Sequence, residues 1–124
     1  MGGRGAYTQG KANGYTYEAV DTYEGVKILR GMPGTGLHDL PEEAHSSEMY
    51  LKLHRDGTMN MLRIYGKDHY LQSEIAYHPE PELTGNHNPV LHIHHYDKNF
   101  DRSKAQYLDS ETLKKYKKYM KGRN

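Results

Sequence analysis

The chain has 124 residues, a formal net charge of +1 and 35% hydrophobic residues. That length fits one domain, and the near-neutral charge argues against broad, non-specific attraction to nucleic acid. No apolar run approaches the roughly 20 residues of a membrane span. The start MGGRGAYTQG lacks the apolar stretch of a signal peptide, so a cytoplasmic setting without membrane contact is expected. With no cysteine there is no disulfide framework, thiolate nucleophile or cysteine-based zinc site. Leu, Ile, Val and Phe supply only 19 residues, a share low enough to suggest disorder in a highly charged chain, which this is not. Twelve tyrosines and six methionines add apolar surface, and a tyrosine ring can be buried when its hydroxyl finds a partner.

Residues 1–14 carry five glycines and read as a flexible arm. Residues 15–124 read as a single small α+β domain. Tyr15 to Tyr23 is ambiguous between strand and helix, and Val26 to Leu29 is a short strand. Arg30 to Ser47, broken by Gly31, Pro33, Gly34, Gly36 and Pro41, is mostly loop, with one helical turn opening at Pro41. Met49, Leu51 and Leu53 alternate with Tyr50, Lys52 and His54, the pattern of a half-buried strand. Asp56-Gly57 marks a hairpin turn with positive φ at both positions. The return strand runs from Met59 to Tyr65, followed by a turn at Gly66-Lys67-Asp68. From Tyr70 to His78, Leu71, Ser73, Ile75 and Tyr77 share one face; Gln72, Glu74, Ala76 and His78 share the other. Pro79 to Pro89 is a loop by composition, and Val90 to Tyr96 is a further strand. Asp109 can cap a C-terminal helix, with Leu108 and Leu113 as a hydrophobic staple. Leu113, Tyr116 and Met120 then form its packing face, the lysines the solvated one, and Gly122 its end. The expected fold is a four- to five-stranded antiparallel meander with a C-terminal helix on one face.

Histidines concentrate between His78 and His95. On a strand, His92 and His94 point to one face, and His78 ends the preceding strand on the face shared with Glu74. Three converging imidazoles make a candidate site for a divalent metal such as zinc. In this reading His78, His92 and His94 are ligands, Glu74 is a fourth ligand or general base, and Arg102 anchors an anion. His38, His45, His54 and His69 are isolated and read as partly buried polar positions. The imidazole cluster also admits a pH-sensitive surface. The basic C-terminal helix reads first as a solvated face and second as a contact for nucleic-acid phosphate. Gly31 to Gly36 is interrupted by Pro33 and followed by no Lys-Ser/Thr, so it is not a phosphate loop. No nucleophile elbow is present either.

The start Gly2-Gly3-Arg4-Gly5-Ala6, the hairpin, the Tyr65 to His78 strand, the run PVLHIHHY and the short C-terminal helix resemble small prophage proteins of Gram-positive bacteria. Those occur alone or as the C-terminal part of phage minor head proteins. The resemblance implies a phage-derived structural or accessory protein, with phage head proteins as partners and a cytoplasmic or virion-associated location. Domains appended to head proteins can also be nuclease or toxin modules, which keeps a metal-dependent hydrolase as the alternative. A protein-interaction module using a sheet edge is the third reading.

Overall fold

The computed structural model describes residues 17–31, 40, 41, 44 and 47–123. The expected arm at 1–14 lies outside the described residues, as does most of the helical turn expected after Pro41. Six strands follow in order: β1 (Tyr17–Tyr23), β2 (Val26–Gly31), β3 (Met49–Leu53), β4 (Met59–Tyr65), β5 (Leu71–Pro79) and β6 (Pro89–His95). A single helical turn, α1 (Pro81–Thr84), sits between β5 and β6. Helix α2 (Ser110–Tyr116) continues into a 3-10 turn at Lys117–Tyr119. The strands form one sheet in chain order.

The chain is α+β, but the sheet has six strands and is mixed. The ambiguous segment before Tyr23 is a strand because Glu24 and Gly25 both take positive φ (52° and 78°), a tight turn that folds it back on β2. β2 then pairs with β3 in parallel, Lys27 opposite Tyr50 and Ile28 opposite Leu51. A parallel pair needs a crossover of about a dozen residues or more, and the Gly- and Pro-rich stretch after Gly31 supplies that length. From β3 to β6 every pairing is antiparallel, as the alternation predicts.

The sheet has a core on each face. One face gathers Tyr17, Leu29, Tyr50, Met61, Tyr65, Leu71 and Ala76 with Leu40 and Ala44. The other gathers Val26, Ile28, Leu51, Met59, Leu62, Ile75, Ile93 and Met120. Leu71 departs from its expected side. The register slips where Ile64 faces Ser73 but Tyr65 faces Leu71, and that bulge turns Leu71 onto the Ala76 face. The β3–β4 turn also differs in detail. Only Gly57 has positive φ (86°). Gly57 donates its N–H to His54 O at 3.0 Å, and His54 N–H donates to Thr58 O at 2.8 Å. This is the three-residue hairpin with a glycine bulge, which spares Asp56 the left-handed conformation.

At the C-terminus Asp109 caps α2 as expected, accepting from Thr112 N–H at 2.7 Å. Met120 is 1% exposed in the second core, with Leu108, Tyr116 and Tyr119 packed against it. Leu113 stays exposed and outside the second core, so it is not part of the packing face as expected. Helix α2 ends after two turns, and the following 3-10 turn brings Tyr119 and Met120, rather than Leu113, onto the sheet.

Candidate metal centre

Pairing between β5 and β6 sets Glu74 opposite His94, Ala76 opposite His92 and His78 opposite Val90. Side chains two apart on a strand share a face, so His78, His92 and His94 all lie on the Ala76 side. The fully buried Ala76 is small, which leaves room above it for the rings. The His78 and His92 ring centroids are 4.9 Å apart, and those of His92 and His94 are 5.1 Å apart. Glu80 continues the same period just past β5. It stands at the N-cap of α1 without capping it. Its carboxylate turns to the imidazoles instead, with Oε1 3.3 Å from Nε2 of His92 and 3.3 Å from Nε2 of His94. His78, Glu80 and His92 each offer a ligand atom, all within 4.8 Å of one another.

The protonation pattern follows from the other ring nitrogens. Nδ1 of His92 is 2.8 Å from the Val90 carbonyl oxygen, and Nδ1 of His94 is 2.8 Å from the Ser103 carbonyl oxygen. A carbonyl only accepts, so each Nδ1 carries a hydrogen, and each Nε2 is turned toward Glu80, that of His94 within hydrogen-bond distance of Oε1. The His92 Nε2 is buried and no hydrogen bond is directed at it, despite its ion-pair distance to Glu80. Two imidazole nitrogens and a carboxylate oxygen thus converge, an arrangement that suits a bound cation. A proton is a poor candidate at His92, because burial, reinforced by His78 and His94, holds its pKa below the usual 6.5 against the opposing pull of Val90 and Glu80. A carbonyl accepting from the far ring nitrogen is what metal-ligating histidines ordinarily have.

The other residues singled out from sequence lie elsewhere. Glu74 shares the face, but its Oε2 accepts from Arg63 Nε at 2.6 Å in an ion pair whose side chains are 8% and 4% exposed. Arg63 also donates to Leu40 O at 2.6 Å and stacks over Tyr96. Arg102 is exposed and bridges to Tyr96 rather than to the imidazoles. There it offsets a little of the rise that burial and Glu74 impose on the Tyr96 hydroxyl pKa. Two further histidines of this stretch, His87 and His95, are exposed, with His95 Nδ1 3.0 Å from Ser73 Oγ. The carboxylate at the cluster, Glu80, was hidden in a segment that reads as loop. The signal that could have found it is the spacing His78-Pro79-Glu80, one more step of the strand period. No family model, curated protein or solved structure matches the chain.

Proposed function

We propose that this domain binds a divalent transition metal through His78, Glu80, His92 and His94 and uses it in hydrolysis. The observation that carries the reading is the pair of imidazoles, each held by a carbonyl at Nδ1, whose Nε2 atoms both lie 3.3 Å from one Glu80 oxygen. Three nitrogens and one carboxylate suit zinc, and also nickel, iron or manganese. Glu80 takes the carboxylate role first given to Glu74. His92 and His94 are buried, whereas His78 is half-buried and the Glu80 side chain is 19% exposed. The ligand set therefore opens toward solvent on one side, where a metal could hold and acidify a water molecule.

Protein purified without an affinity tag is expected to carry or take up one equivalent of metal. His92→Ala and His94→Ala should each abolish that binding, and metal–nitrogen distances of about 2.0–2.1 Å should be seen by X-ray absorption. Blank metal analysis together with no uptake of zinc, nickel or manganese in titration would overturn the reading. The hydrolytic part predicts chelator-sensitive cleavage of an activated ester or phosphodiester. We further propose a prophage setting as a head-associated accessory protein, which the resemblance of the Gly2–Ala6 start supports. Failure to co-purify with virions or a head protein would remove that setting and leave the metal centre untouched.

A further inference from the structure

We infer a second site, for the phosphate of a nucleotide-sized ligand, in the open pocket walled by His54, Arg55, Tyr77, Pro89 and Arg123. The pocket measures about 530 Å³ and has Asp56 as its remaining lining residue. It lies at the end of the sheet where β5 finishes and β6 begins, with Tyr77 on the face opposite its neighbour His78.

Arg123 is the preorganised element. Its guanidinium carbon lies over the Tyr77 ring, 3.8 Å from the centroid. Nη2 donates to Thr58 Oγ1 at 2.8 Å and to Met59 O at 3.1 Å, and Nε donates to Met59 O at 3.2 Å. Those contacts fix the plane and use one edge of the fork. Among the described residues no hydrogen bond engages Nη1, so its two N–H groups remain for an acceptor at the pocket. A guanidinium held in one plane loses little freedom when it binds a phosphate.

Arg55, exposed at the hairpin tip, supplies a second positive charge with no ion pair among the described residues. The one acidic group is already engaged: Asp56 Oδ1 accepts from Thr58 N–H at 2.9 Å and Thr58 Oγ1 at 2.6 Å. Through Thr58 that carboxylate is linked to Arg123, so two arginines face one carboxylate, one of whose two oxygens is in use. The apolar walls, Tyr77 and Pro89, and a volume well beyond that of a bare phosphate favour a ligand that carries a sugar or base on the phosphate. His54 donates from Nε2 to Tyr77 O at 3.2 Å and so frames the pocket rather than binding the anion.

This site stands independently of the metal reading, and the experiment keeps the two apart by using metal-free protein in excess chelator. Inorganic phosphate, a nucleoside monophosphate and the matching nucleoside would be titrated and followed by NMR shifts of Arg55, Tyr77 and Arg123. The monophosphate is expected to bind about tenfold or more tighter than either phosphate or nucleoside, since both halves of the ligand find contacts. Arg55→Ala, at an exposed position that should not disturb folding, is expected to weaken it about tenfold. Arg30→Ala, at a distant exposed arginine paired with Glu18, should have no effect. No saturable binding at millimolar concentration, or affinity indifferent to Arg55→Ala, would overturn the site. Phosphate binding with no gain from the nucleoside would overturn the ligand class.

Discussion

Two carboxylates on one face of the sheet stand in different surroundings, and under the proposed function substitution should separate them. Glu74 neutralises Arg63, so Glu74→Ala leaves a buried guanidinium without its counter-charge. The expected cost is about 3–5 kcal/mol in denaturant melts, with metal stoichiometry unchanged in whatever fraction remains folded. Glu80→Gln should do the reverse. Its side chain, 19% exposed, caps nothing, so the melt should move little. Metal affinity should fall by about tenfold or more, each factor of ten corresponding to about 1.4 kcal/mol. Equal metal loss in both variants would contradict the division of roles. The histidines of this face were legible because a strand repeats every two residues, which alone puts His92 and His94 together. The carboxylate was not, because Glu74 is claimed by Arg63 from the next strand, a pairing that no local pattern announces.

At the scale of elements, local chemistry was readable and non-local chemistry was not. The strands β3 to β6 follow from alternation, and the Asp109 cap and Gly57 follow from side-chain and backbone preferences that act within a few residues. The parallel β2–β3 pairing, the bulge that turns Leu71 over and the switch from α2 to a 3-10 turn depend on partners distant in sequence. The last of these makes Met120 the anchor of the C-terminal segment. Gly122 beside it has φ 75°, and an added Cβ there would sit 2.6 Å from Thr58 Cγ2. Lys121 O accepts from Met59 N–H at 2.8 Å, so the segment is tied to the start of β4 beside the β3–β4 turn. Met120→Ala should cost about 2–5 kcal/mol through the cavity it leaves. Leu113→Ala, on the same segment but exposed, should stay within about 0.5 kcal/mol of the parent. Similar losses for the two would mean that α2 packs through Leu113 after all, and chemical denaturation of the pair decides it.

For the molecule as a whole, burying an imidazole ties stability to pH in a defined direction. The pKa of His92 is lower in the folded protein than its ordinary 6.5, chiefly through desolvation. As pH falls through 6.5 the unfolded chain takes up that proton first, so stability declines from there until the folded-state value is reached. Asp56 and Asp109 act in a different window. Hydrogen bonds from Thr58 and Thr112 hold their pKa values below 3.8, so their contribution is lost only in stronger acid. Between pH 7.5 and 5 the metal-free protein should therefore melt at progressively lower temperature. Metal adds a second slope of the same sign, because its imidazole ligands must be unprotonated. At about one hundred times its dissociation constant it should stabilise the fold near neutral pH by about 2.7 kcal/mol, and this gain should vanish toward pH 5. The difference in melting temperature between metal-loaded and metal-free protein, followed across that range, is the measurement. A difference that does not change with pH would place any bound metal on groups other than these histidines. Parallel melts of His92→Gln should show both the intrinsic slope and the metal-dependent gain reduced together.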